Sequence, residues 1–298
     1  MSQNVKVFIY LSIAMIFWAF SFVWVKQAYE SFEPFTVVFF RLLISSVLLF
    51  TVLKMIRQLN RLRAEDFKWF LLLAFFEPFM YFMGESFGLK HVSSTVGAVI
   101  ISTIPLFAPV VDRLFFRARI TWLNISGIII SFAGVLMIIL EKDLTLQAPL
   151  SGIALLFVAV FAALGYTVVL KKIPVHYNAV SIIVYQNIIG VFYFLPLFLT
   201  FDLKHIVLPE IQPVAIWAVF QLAIFASSAA FIFFTYSIRV IGITKANVFV
   251  NMIPVFTAVF AWWLLDEKLT IEKFIGIIIV IAGVFISQMK KTSVIIEK

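Results

Sequence analysis

The chain has 298 residues, of which 63% are hydrophobic and only 13% charged. Its mean hydropathy is +1.11; a soluble domain carries roughly 25% charged residues, so a water-soluble fold is excluded and the apolar side chains belong in lipid. The net charge of +8 is then a topology signal in the loops rather than a nucleic-acid footprint, and the lack of cysteine removes disulfides, thiolate metal sites and a cysteine nucleophile.

Taken in order, the chain gives ten apolar spans of roughly 20 residues, each long enough to cross a bilayer as a helix. They fall at 6–26, 34–55, 68–88, 92–115, 121–140, 150–171, 178–200, 212–236, 243–265 and 270–288. The start led by Lys6 lacks a small-residue cleavage site and reads as the first span, not as a cleaved signal. The expected fold class is an all-α polytopic membrane protein with almost no domain outside the bilayer.

Lys and Arg set the orientation. With both termini in the cytoplasm, sixteen of the 23 fall in cytoplasmic segments, among them Lys54, Arg57, Arg61, Arg63, Lys68, Arg113, Arg117, Arg119, Lys171 and Lys172. Six fall outside, at Lys26, Lys90, Lys142, Lys204, Lys268 and Lys273, and Arg41 lies within a span. The bias predicts cytoplasmic termini in a plasma (inner) membrane.

Residues 96–135 and 245–284 align without a gap, and thirteen of the 40 positions are identical. Matched Ile and Val are expected between any two apolar helices. A matched Pro105/Pro254, Thr121/Thr270, Gly127/Gly276 and Gly134/Gly283 are not, so the chain reads as an internal duplication. The first repeat is 1–143 and the second 144–298. Each has five spans, an odd number, so the second copy enters the membrane from the opposite side. Inverted repeats of this kind point to a transporter with its site near the midplane.

The residues also resemble a family. The pattern Trp18, Phe22, Lys26, the arginine Arg41 in the second span, the prolines of spans four and nine, the turn Asp266–Thr270 and the pair Gly276, Gly283 are similar to the EamA family of the drug/metabolite transporter superfamily. The resemblance covers nearly the whole chain. It implies a basket of ten helices around a central cavity and, for many members, export of amino acids or other metabolites. The chain departs from the pattern at one point: the acidic Glu267 of the second half is matched by Ala118 in the first.

Several residues are candidates for the site. An interior proline removes a backbone hydrogen bond and clashes with the carbonyl four residues back, so Pro105 and Pro254 predict paired helix breaks that wall a cavity, or simple packing kinks. Polar residues precede each break, including Ser102 in one half and Asn247 and Asn251 in the other. The two asparagines share a helix face and either line the cavity or glue helices together. Glu77 and Glu85 lie inside span three, where a charge costs roughly 2.5–3.5 kcal/mol on insertion scales. As helix residues they lie about 80° apart around the axis and about 12 Å apart along it. They serve substrate recognition or proton coupling, or pair internally with Arg41. Trp18, Trp24, Tyr81, Tyr166, Tyr185 and Tyr236 are the aromatic cavity candidates, whereas Trp69, Trp122, Trp217, Trp262 and Trp263 read as an interfacial belt. The expected substrate-binding set is Trp18, Glu77, Tyr81, Glu85, Ser102, Tyr166, Tyr236, Asn247 and Asn251, with Glu77, Glu85 and Arg41 for ion coupling.

Enzyme readings fare poorly. His91, His176 and His205 are isolated, with no metal-ligand spacing, and there is no phosphate loop or nucleophile elbow. No cofactor, metal or nucleic-acid partner is expected; the partners are a small-molecule substrate and the lipid bilayer, with the protein a monomer or a homodimer. Two alternatives stand beside transport: a lipid flippase or lipid-processing protein using Glu77 and Glu85, and a non-transporting membrane scaffold.

Overall fold

A computed structural model describes residues 3–116, 120–140, 148–241, 246 and 249–288. Among these, eight helical segments are long and apolar enough to cross a membrane, and Ile253–Leu265 is a shorter apolar helix. The chain begins with α1 (Gln3–Ala28), α2 (Pro34–Met55), α3 (Phe67–Ala74), α4 (Tyr81–His91), α5 (Ser94–Ile101) and α6 (Ile104–Phe116). It continues with α7 (Trp122–Ile139), α8 (Leu150–Leu170), α9 (Ala179–Leu197), α10 (Pro213–Gln221), α11 (Phe231–Ile241), α12 (Ile253–Leu265) and α13 (Ile271–Gln288). No β-strand occurs among the described residues.

Four of the expected spans are interrupted, and span seven runs out through a short π-helical stretch, Phe198–Asp202. Span three runs as α3, a π-helical stretch over Phe75–Met80, then α4, and Glu77 inside it is extended at φ −142°, ψ 116°. Pro78 is the cause: the residue before a proline is pushed out of the helical region. Span eight carries the second π stretch that interrupts a span, Leu222–Ala230, between α10 and α11. There the Ser228 hydroxyl donates to the carbonyl of Ala223, five residues back, a side-chain bond that competes with the regular ladder. Span four breaks at Ser102–Thr103, and Pro105 is the second residue of α6. In span nine, α12 likewise starts just before Pro254.

The core sits around α1, which packs against α4, α5, α10, α11, α12 and the second π stretch. Around it α2 packs on α9, α4 on α8, and α7 on α13. Small residues fix the last of these. A Cβ added at Gly127 would meet the Gly283 carbonyl and the Ser287 nitrogen at 2.5 Å, and one at Gly134 would meet Gly276 and Val280 backbone at 2.8 Å. The expected small faces are thus turned against each other within one chain, backbone to backbone. Trp122, Trp217, Trp262 and Trp263 are all exposed, as an interfacial belt requires.

Each end of the bundle is tied by its own polar contacts. At the end where α1 stops, the Glu267 carboxylate accepts from Ser94 N at 2.6 Å, Thr95 N at 3.2 Å and Thr95 Oγ1 at 2.9 Å. Lys26 Nζ donates to the Leu89 carbonyl, Tyr29 OH to the Ser86 carbonyl at 2.8 Å, and Lys90 pairs with Glu33. At the opposite end, Asn178 N donates to Asn60 Oδ1 at 2.6 Å, Tyr185 OH to the Asn60 carbonyl at 2.6 Å and Tyr177 OH to Asp66 Oδ2 at 2.8 Å.

Candidate functional site

A cavity of about 220 Å³ lies between the helices. Its lining comes from both halves of the chain: Trp18, Ser21 and Phe22 of α1, Arg41 of α2, Glu77, and Tyr81, Phe82 and Glu85 of α4, then Tyr166 and Thr167 of α8 and Phe231, Phe234 and Thr235 of α11. Ile101, Ile104 and Pro105 line it around the break in span four, and Val250 and Ile253 around that in span nine. The lining reaches Leu170 and Ala179, which flank the loop between α8 and α9, but not the Glu267 end. The cavity is therefore directed toward the end that carries that loop.

Charge in the cavity is divided unevenly. Arg41 is 3% exposed. Its Nη1 lies 3.9 Å from Glu85 Oε2, its Nε donates to Ser227 Oγ at 3.0 Å, and its guanidinium carbon sits 4.3 Å over the Phe82 ring. Glu85 also accepts from Tyr81 OH at 3.0 Å, one helical turn away. The two charges offset each other at this distance, and Ser227 and Tyr81 each add one hydrogen bond to the pair. Behind it, Ser45 Oγ contacts Ser228 Oγ at 2.8 Å and Asn187 Nδ2 donates to Ser45 at 3.0 Å, tying α2, α9 and the second π stretch together.

Glu77 is different. It is 9% exposed and lines the cavity, yet no hydrogen bond or ion pair reaches its carboxylate from any described residue. The extended backbone before Pro78 takes it off the regular helix, away from the turn that Tyr81 and Glu85 share. The cavity thus presents one uncommitted carboxylate among mostly apolar and aromatic walls. Trp18 also lines the cavity, its Nε1 donating to the Ala226 carbonyl at 3.2 Å in the second π stretch and its ring edge-on to Phe231 and Phe234.

Of the residues singled out in sequence, Trp18, Glu77, Tyr81, Glu85, Tyr166, Arg41 and Pro105 are brought together in this lining. Ser102 is buried outside it, its hydroxyl donating to the Val99 carbonyl at 2.7 Å. Tyr236 is 39% exposed and packs edge-on against Tyr10. Asn251 is 6% exposed with an unpartnered Oδ1, between the lining residues Val250 and Ile253 but not itself among them. Pro254 is buried next to Ile253 without lining the cavity. Asn247 lies outside the described residues. Sequence reasoning passed over Ser227, which holds Arg41, and Pro78, which displaces Glu77. The Glu-Pro dipeptide inside an apolar span was a legible signal for the second. Among the described residues no three of His, Cys, Asp and Glu come together as a metal site.

The profile of the EamA-like transporter family matches residues 5–140 and again 150–289. An uncharacterized transporter of Archaeoglobus fulgidus is 27% identical over 97% of this chain and 99% of its own length. A second from the same organism is 28% identical, covering 96% and 100%. The uncharacterized transporter YetK of Bacillus subtilis is 26% identical over 84% of this chain and 77% of its own. One solved crystal structure superposes with a TM-score of 0.69 at 14% identity, covering 96% of this chain and 97% of that one, a likeness of fold alone.

Proposed function

Because this chain belongs to the EamA-like transporter family, we propose that it is a secondary transporter that moves a small amphipathic metabolite, an amino acid or similar solute, outward across the inner membrane. Ten helices in two inverted five-helix repeats, 1–143 and 144–298, would alternate access to the cavity between them. The observation that carries this reading is the cavity itself, walled by both halves and holding a carboxylate with no protein partner.

Inversion is supported by how the halves meet. A two-fold axis that exchanges the repeats must turn each contact between them into another contact. The pair Gly127–Gly283 becomes Gly276–Gly134, and both are close approaches. The packing of α4 on α8 becomes that of α11 on α1, and both occur. Two of the three π stretches among the described residues also fall at equivalent places, around Glu77 and Ala226, while the third, Phe198–Asp202, is found in one half alone.

Energy is the other element. No nucleotide-binding motif is present in the sequence, so uphill transport draws on an ion gradient or exchange. An isolated carboxylate within a span is costly, and it is neutralised by a proton or by a cationic group of the substrate. Glu77 is the proton carrier in this reading, sharing the cavity lining with Arg41, Glu85, Tyr81 and Tyr166, while Glu85 is paired with Arg41. Proteoliposomes with a proton gradient and equal substrate on both sides test it. Wild type should accumulate or expel substrate, and Glu77→Gln should abolish that uphill component; wild type that merely equilibrates substrate whatever the gradient would remove proton coupling. Lipid scrambling without solute flux would favour the flippase alternative instead.

A further inference from the structure

We infer that the cavity selects a small organic monocation, an ammonium on an apolar body with no free carboxylate, and that Glu77 is the group that binds it. This rests on the transporter reading above and narrows the solutes that reading allows.

The charge inventory of the cavity carries the inference. Its lining contains three ionisable groups of fixed sign, Arg41, Glu77 and Glu85. Arg41 is the only cation among them, and its charge is already offset: it lies 3.9 Å from Glu85, donates Nε to Ser227 Oγ at 3.0 Å and sits 4.3 Å over the face of Phe82. Glu85 is likewise engaged, by Arg41 and by Tyr81 OH. One carboxylate remains, and no described residue bonds to it.

Each class of solute meets that carboxylate differently. A zwitterionic amino acid brings a carboxylate of its own, which calls for a free cation or a cluster of donors. Arg41, the one cation in the lining, is already balanced by Glu85, so a solute with no net charge leaves the surplus negative charge of Glu77 in place. A neutral solute would leave Glu77 buried and unpaired, itself a cost. An ammonium group balances Glu77 and donates to it, while an apolar body rests on the walls. Those walls suit a cation further, because Trp18, Tyr81 and Tyr166 line the same cavity as the acid and aromatic rings attract cations. Size adds a limit. About 220 Å³ falls below the roughly 300–1,000 Å³ of sites for drug-sized ligands, so the ligand is an amine on a single ring or short chain.

Calorimetry on the full-length protein in lipid nanodiscs tests this with three probes that share one ring: 2-phenylethylamine, L-phenylalanine and 2-phenylethanol. They differ in carrying an ammonium alone, an ammonium with a carboxylate, and neither. The amine should bind tightest, by about tenfold or more over the other two, the ratio expected when a hydrogen bond to a charged group is gained. Glu77→Gln should erase the preference for amine over alcohol, and Glu77→Asp should keep it. L-Phenylalanine binding as tightly as the amine, binding of none of the three, or an undiminished amine preference in Glu77→Gln would each overturn the inference. Should Glu77→Gln not fold, the ranking on the wild type decides. Amine binding without flux of any solute would refute the transport reading and leave this one standing; flux of zwitterionic amino acids without amine binding would do the reverse.

Discussion

Two glutamates eight positions apart in one span, Glu77 and Glu85, end up with opposite fates at the level of single side chains. Sequence alone marks both as buried carboxylates and marks Arg41 as their possible partner, since charges within a span are costly. Which of the two Arg41 takes is not legible, because it depends on Ser227, some 186 residues away, and on the backbone departure before Pro78. Tyr236 shows the same limit. Its neighbours Phe234 and Thr235 line the cavity, but the next residue is turned by about 100° on the helix and faces outward. The division of charge leads to a stability prediction. Arg41→Gln strands Glu85 without its ion partner, and breaking one side of a buried pair costs about 3–5 kcal/mol. The double variant Arg41→Gln, Glu85→Gln should recover most of that loss, read as the thermal unfolding midpoint of the purified protein. Equal losses in the single and double variants would show that the pair does not hold these helices.

Helices are where the sequence spoke most clearly and where its silence was most local. Apolar runs predict ten spans, of which eight are long and apolar enough among the described residues and Ile253–Leu265 is shorter, and Pro105 and Pro254 mark the places where α6 and α12 restart. The π stretches are not legible in apolar periodicity, because Pro78 displaces the backbone of Glu77 only locally and the Ser228 hydroxyl finds the Ala223 carbonyl only once the helix has formed. Glu267 had no role in sequence, since the backbone it serves lies 172 and 173 residues away. Its carboxylate accepts the N–H groups that open α5, where the orphan donors and the helix dipole favour an anion. Together with the contact of Lys26 to Leu89 and of Ser94 Oγ to the Phe22 carbonyl, it closes α1 against α5 at the end the cavity does not reach. Removing it should loosen that end. The chain has no cysteine, so a single Ser21→Cys in the cavity wall reports access without background. An impermeant maleimide added from the Glu267 side should leave Ser21→Cys unlabelled in the parent and label it when Glu267→Ala is added. Unchanged protection would show that Glu267 stabilises α5 without sealing the cavity.

Across the whole molecule the loops sort by charge. The segment with Arg57, Arg61, Arg63 and Lys68 is tied to the segment after Lys171 and Lys172 through Asn60–Asn178 and Tyr177–Asp66. These basic loops therefore share one end of the bundle, the end toward which the cavity is directed. Glu30, Glu33, Asp202 and Glu210 gather around a second, polar hollow, and Lys90 pairs with Glu33 there, at the end that also holds Glu267. Such an asymmetry was visible in sequence as the excess of Lys and Arg in alternate loops, because the rule counts only loop charge and needs no fold. What the sequence did not carry is that the basic loops bind one another, which comes from Asn60, Tyr177 and Asn178 rather than from any charge. Basic loops are retained in the cytoplasm, so the cavity should face the cytoplasm in this conformation and both termini should lie on that side. Reporter fusions check this. A phosphatase that is active only outside, placed in the 141–149 loop, should be active, and the same reporter at the C-terminus should be silent. Five spans separate the two positions in the ten-span reading, so activity at both, or at neither, would overturn that count as well as the orientation.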